Sequence, residues 1–149
     1  MKFNTGVEKS FLELTSNLMR DENSPFSIGE RELIGAYVSG INACNYCYNG
    51  HAHLAVKFGI DESLLAELDE NIQTASVDGR LKPILEMVKK LTIKPSQIVK
   101  SDIDSILDEG WNERAVYDAI MVCSLFNFAN RLVEGLGLKD HTNSTYFNV

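Results

Sequence analysis

Apolar residues recur at helical steps along almost the whole of this chain, and each run is closed by a recognisable stop. Val7, Phe11, Leu14 and Leu18 predict a first helix to about Met19. Asp21-Glu22-Asn23-Ser24-Pro25 breaks it. Ser27-Ile28-Gly29-Glu30 has capping-box form, in which hydroxyl and carboxylate each take an amide that the helix leaves unbonded. The helix it opens has Ile28, Leu33, Ile34, Tyr37, Val38 and Ile41 on its apolar face. Gly35, Ala36, Ser39 and Gly40 lie between them, which suits close helix packing. A break at Gly40-Ile41-Asn42 predicts Asn42 as N-cap of a third helix ending at a C′ glycine, Gly59.

Asp61 caps a short helix through Leu64, Leu65 and Leu68, and the polar stretch from Asp69 to Gly79 reads as a connector. Leu81, Ile84, Leu85, Val88 and Leu91 form the next helical run. Pro83 is tolerated there because it falls in the first turn, and Lys94-Pro95 ends the element. A short helix from Ser101 stops at Gly110. Asn112 caps the last long helix, with Val116, Ile120, Met121, Leu125, Phe128 and Leu132 apolar and Gly135 and Gly137 as its stop. Residues 139–149 read as a polar tail. No segment alternates like a strand between hairpin turns. The expectation is an all-α, single-domain chain over residues 1–149.

At 149 residues and 44% hydrophobic composition the chain can bury a core of its own. Its formal charge of −7 argues against nucleic acid or an anionic membrane as partner. No apolar run approaches a membrane span, and the first twenty residues hold no signal-peptide core. With only three cysteines a secreted disulfide framework is not expected. A reducing cytoplasm is the expected compartment, where a C-x-x-C pair signals redox or metal chemistry.

That pair lies in Ala43-Cys44-Asn45-Tyr46-Cys47-Tyr48-Asn49-Gly50-His51. On a helix, Cys44, Cys47 and His51 share one face, and an i,i+3 thiol pair lies within disulfide reach. His51 stands one turn beyond the second thiol, where an imidazole can take its proton. Cys44, near the helix start, is expected to feel the positive end of the dipole, which favours a thiolate. Two inert structural cysteines would look the same, so the histidine is what tilts the reading. Zinc is the chemical rival, because His53 completes a C-x2-C-x3-H-x-H string. At about 100° per residue, however, His53 points away from the other three, and one helix cannot wrap four ligands around an ion. His53 therefore reads as a surface or packing residue, and no metal is expected.

Glu32 precedes Cys44 by twelve residues. From spacing alone it reads as a solvated neighbour of Glu30 and Arg31, unless a turn at 40–42 folds two antiparallel helices together. Cys123, inside an apolar run, reads as a small core residue. Asn127 with Arg131 and Asn130 with Glu134 are i,i+4 pairs that suit either a buried polar network or an interface.

Glu32-x11-Cys44-x2-Cys47-x3-His51 resembles the E-x11-C-x-x-C-x3-H motif of the AhpD-like alkylhydroperoxidases, within the carboxymuconolactone decarboxylase superfamily. Leu91-Thr92, Ile103 to Gly110, Asp118-Ala119-Ile120 and Phe126 to Arg131 resemble that family's peroxidase-related branch. The resemblance spans about 26–138. It implies an all-helical fold, assembly into trimers or hexamers, and neither metal nor flavin. It implies Cys47 as the peroxide-attacking thiol, Cys44 as the resolving thiol, and Glu32 with His51 as the proton relay. It further implies a hydroperoxide substrate and an external dithiol or lipoyl-bearing reductant. Many relatives carry histidine where this chain has Tyr46.

The activity expected is thus a thiol-dependent hydroperoxidase or disulfide reductase. One alternative is a decarboxylase or lyase acting on a lactone-like metabolite. Another is a non-enzymatic oligomer that responds to the redox state of the pair.

Overall fold

The computed structural model describes residues 5–138, and the polar tail read at 139–149 lies outside the described residues. The helices are α1 (Thr5–Met19), α2 (Ile28–Ile41), α3 (Asn45–Lys57), α4 (Glu62–Glu70), α5 (Leu81–Ile93), α6 (Lys100–Asp108) and α7 (Glu113–Gly135). A single 3-10 turn, Pro95–Gln97, joins α5 to α6. The all-α expectation holds. Among the described residues no helix is long and apolar enough to cross a membrane.

Helix α2 is the centre of the packing, in contact with α1, α3, α4, α5 and α7. Its interleaved small residues explain why. A Cβ at Gly29 would stand 2.7 Å from the Phe58 carbonyl oxygen, so the start of α2 crosses the end of α3 at backbone distance. The two helices form an antiparallel pair, and α7 contacts both. The main core runs from Met19 and Phe26 through α2, α5 and α7. It also takes in Ile72, Ala75 and Val77, so the Asp69–Gly79 connector is pinned by apolar side chains its overall polarity concealed.

The caps carry most of the geometry that matters for function. Ser27 and Glu30 form the expected capping box, with Ser27 N–H donating to Glu30 Oε2 at 2.7 Å and Glu30 N–H to Ser27 Oγ at 3.1 Å. Three helices end in the same motif, in which the residue after the C-cap turns left-handed and two amides reach back to the last turn. After α3 this residue is Gly59 (φ 96°), and after α7 it is Gly137 (φ 64°). After α2 it is Ala43, at φ 54°. Ala43 N–H reaches the Gly40 carbonyl at 2.9 Å and Cys44 N–H the Ser39 carbonyl at 3.0 Å.

Asn42 is therefore the C-cap of α2 and not the N-cap of α3, and Cys44 takes the N-cap position. The expected turn exists, but it lies at 42–44. What frees Asn42 for another use is the side-chain network beneath it. Its Nδ2 donates to Asn127 Oδ1 (3.2 Å) and Asn130 Oδ1 (2.9 Å), and Asn130 Nδ2 donates to Ser39 Oγ at 3.0 Å. The asparagines of α7 form a buried polar network that bolts the α2–α3 turn to the last helix. Asn127 does pair with Arg131 as expected, while Asn130 turns to α2 instead of Glu134. Asn130 is 1% exposed, so truncation strands buried polar partners. Asn130→Ala is expected to lose about 2 kcal/mol of stability, read as a lower denaturant midpoint at unchanged slope.

Candidate active site

The turn at Ala43 delivers both thiols to one place. Cys44 is 0% exposed and Cys47, in the first turn of α3, is 6% exposed. Both are free thiols. They pack with Val133 of α7, and Tyr46 and Leu138 close the cluster. Leu138 reaches them through the C-terminal cap of α7, where its N–H bonds the Val133 carbonyl at 3.1 Å. The cap's own apolar contact thus becomes the wall behind the dithiol.

The two thiols are not equivalent. Burial pushes Cys44 up to about 12, and the neighbouring Cys47 thiol and the Glu134 carboxylate push in the same direction. The helix-start effect expected at Cys44 is overwhelmed, because a sealed thiol beside a carboxylate loses more by ionising than a half-charge dipole returns. Cys47 faces a cleft of about 540 Å³, lined with Tyr46, Asn49, Gly50, His51, His53 and Leu54. Cys44 does not line it. A reactant entering from solvent therefore meets Cys47 first.

Behind Cys47 the antiparallel pairing of α2 and α3 brings Glu32 to His51. Glu32 Oε2 lies 2.5 Å from His51 Nδ1, and the carboxylate is 0% exposed. The solvated placement that spacing suggested for Glu32 is overturned, because α2 is buried on all sides at this level. Its other oxygen, Oε1, has Arg20 Nη1 at 2.6 Å as a charge contact but no aligned hydrogen bond. Burial alone would raise the Glu32 carboxyl. The His51 and Arg20 contacts outweigh it and hold the group below its ordinary value. An ionised Glu32 can only accept, so His51 Nδ1 carries the N–H that donates to Oε2, and Nε2 is left as the nitrogen open to take a proton.

The imidazole is held by its face as well. Phe126 of α7 meets it edge-on, with ring centroids 4.4 Å apart. That ring sits where a Cβ on Gly35 would be, at 2.5 Å from its Cε2 and Cζ atoms. Gly35 is thus the space into which the support for His51 fits. Gly35→Ala is expected to cost about 2 kcal/mol by overpacking and to lower thiol chemistry at the site along with it. A variant that loses neither would show that Phe126 can move without consequence.

His53 is exposed at the cleft rim, in keeping with a surface histidine. Cys123 is 0% exposed and bonded to Thr92 and Asn127, remote in role from the dithiol. Among the described residues no three His, Cys, Asp or Glu side chains converge as a metal-ligand set. Sequence reasoning missed Arg20, Phe126 and the contact of Glu134 with Cys44. Each comes from a distant element, so no local spacing signals it.

No family model matches the sequence. The uncharacterized protein YdfG of Bacillus subtilis (strain 168) is 27% identical over 107 residues, 72% of this chain and 73% of the relative. An uncharacterized peroxidase-related protein from Silicibacter sp. TM1040 superposes with a TM-score of 0.82 at 31% identity, covering 89% of this chain and 69% of that one. A peroxidase-related protein from Ralstonia eutropha JMP134, described as an alkylhydroperoxidase AhpD core, gives 0.81 at 20% identity over 88% and 68% of the two chains. A protein of unknown function from Agrobacterium tumefaciens, provisionally assigned to the antioxidant defence protein AhpD, gives 0.75 at 14% identity over 94% of each. The last two likenesses speak to the fold alone.

Proposed function

Because the chain belongs to the AhpD-like, peroxidase-related family, we propose that it is a thiol-dependent hydroperoxidase acting through Cys47 and Cys44. The observation that carries this reading is the division of labour between the thiols. Cys47 lines the cleft on the same helix as a histidine oriented by a buried carboxylate, and Cys44 waits sealed behind it.

His51 Nε2 takes the Cys47 proton, and the thiolate attacks the terminal oxygen of the hydroperoxide. The O–O bond breaks, Cys47 becomes a sulfenic acid, and the departing alkoxide takes the proton from His51 to leave as alcohol. Cys44 then attacks the Cys47 sulfur. The S–O bond breaks, hydroxide leaves as water with the Cys44 proton, and a Cys44–Cys47 disulfide remains. An external dithiol of the lipoyl type restores the thiols by exchange. A Cys44 thiol held protonated suits this order, because it cannot compete for the peroxide before Cys47 has reacted.

The proposal includes a homo-oligomer, trimeric or hexameric, in a cytoplasmic setting. The test is steady-state loss of an organic hydroperoxide with dihydrolipoamide as reductant. Multiple turnovers support the reading. No turnover, with loss of carbon dioxide from a carboxylated lactone instead, would favour the decarboxylase alternative.

A further inference from the structure

The relay does not end at Glu32. Its Oε1 is turned away from His51, is fully buried and has no aligned hydrogen bond, yet a guanidinium stands 2.6 Å away. Arg20 directly follows α1, and no residue of that helix lines the cleft at Cys47. Its position is fixed in several independent ways. Buried Arg31 donates Nη1 to the Leu18 carbonyl (3.1 Å) and to the Asp21 carbonyl (2.8 Å), which bracket residue 20 in the chain. Arg20 Nη1 also donates to the Met19 carbonyl at 2.9 Å. Its guanidinium lies over the Phe58 ring, 5.5 Å from the centroid. A surface arginine serving only solubility has no need of such bracing.

We propose, building on the hydroperoxidase reading, that Arg20 is a positioning residue of the relay, a fixed cation that keeps Glu32 ionised and so sets the pH above which His51 works as a base. The charged groups around the carboxylate are few. Arg20 faces it from just after α1 and His51 from α3. Arg31, on its own helix, spends its Nη1 on the two carbonyls. The Phe126 ring of α7 packs on His51 and the Phe58 ring at the end of α3 lies under the Arg20 guanidinium, neither of them charged. Among the described residues, Arg20 is thus the one cation besides His51 in ion-pair contact with Glu32.

The sign follows from charge alone. Removing a cation from beside the Glu32–His51 pair makes the pair hold its proton more tightly. The form with ionised Glu32 and neutral His51, which accepts the Cys47 proton, then appears only at higher pH. Because the Arg20 side chain is 39% exposed, solvent screens part of the effect and the lower end of the usual range applies.

The experiment compares wild type with Arg20→Met, Arg20→Gln and Arg20→Lys. It reads the pH profile of single-turnover hydroperoxide consumption and, separately, the His51 titration followed by imidazole NMR. In the two neutral variants the acid limb is expected to move to higher pH. Rates on that limb fall about 10-fold, while the high-pH plateau stays within about twofold of wild type. The His51 midpoint moves the same way, and Arg20→Lys restores most of both shifts. A uniform loss at every pH with an unmoved limb and midpoint would mean a merely structural role, and would overturn the inference. So would a limb displaced to lower pH. If wild type consumes no hydroperoxide but the His51 midpoint still moves as stated, the hydroperoxidase reading fails and the role of Arg20 in the relay stands.

Discussion

Replacing Cys47 with serine is expected to abolish hydroperoxide consumption even in a single turnover, whereas Cys44→Ser still consumes one equivalent. The asymmetry follows from where the thiols sit. Cys47 borders the cleft beside His51, and Cys44 is sealed against Val133 with its thiol held up to about 12. Without Cys47 no activated sulfur faces the substrate, and the loss should reach the uncatalysed background. Without Cys44 the first step survives but nothing attacks the sulfenic acid, which then accumulates on Cys47 and can be trapped with a dimedone-type reagent. Turnover with an added dithiol should fall in both variants. A trapped sulfenic acid on Cys44 in the Cys47→Ser protein would reverse the assignment.

The second large effect is expected at Glu32. Glu32→Gln keeps the shape of the side chain and removes the charge that orients His51. The first step should slow on the order of 10²-fold, the lower end for loss of a positioned acid-base group. His51→Ala should do the same, and the double variant should be little worse than either single one, because the two residues act as a unit. Stability should suffer too. Glu32 is fully buried with Arg20 and His51 as its partners, and breaking such an arrangement costs about 3 kcal/mol. The pH dependence has a definite sign. The folded protein holds the Glu32 carboxyl below its ordinary value of 4.5, so its contribution is present above that pH and drains away as the pH falls below it. The variant lacks this contribution, and its acid unfolding curve should be correspondingly flatter. A Glu32→Gln protein with wild-type rate and acid stability would remove the relay from the mechanism.

How far the sequence reveals this site depends on whether each feature is local. Helix type and most helix ends are local, and Ser27, Glu30, Gly59, Asp61, Asn112 and Gly137 mark them by cap chemistry. The α2–α3 turn is the exception, because Ala43 occupies a left-handed position that Gly59 and Gly137 fill elsewhere in the chain. Without a glycine as signpost, Asn42 passes for an N-cap. In the fold its side chain is needed by Asn127 and Asn130. Glu32 is harder still, since its burial depends on α3 folding back along α2 and α7 closing over both. No periodicity within α2 separates it from Glu30, which is used in a cap. The dipole argument at Cys44 fails for a related reason. It weighs a local field correctly and knows nothing of Val133, Leu138 and Glu134, which arrive from the far end of the chain.

The central claim is that Cys47 and Cys44 pass two electrons to a hydroperoxide by way of an intramolecular disulfide. The most direct measurement adds one equivalent of an organic hydroperoxide to the fully reduced protein and maps the product by intact mass and peptide mass spectrometry. The account predicts loss of two hydrogens, a Cys44–Cys47 linkage, an unmodified Cys123 and one equivalent of alcohol formed. Hydroperoxide left intact over free thiols, or a bridge that includes Cys123, would contradict it.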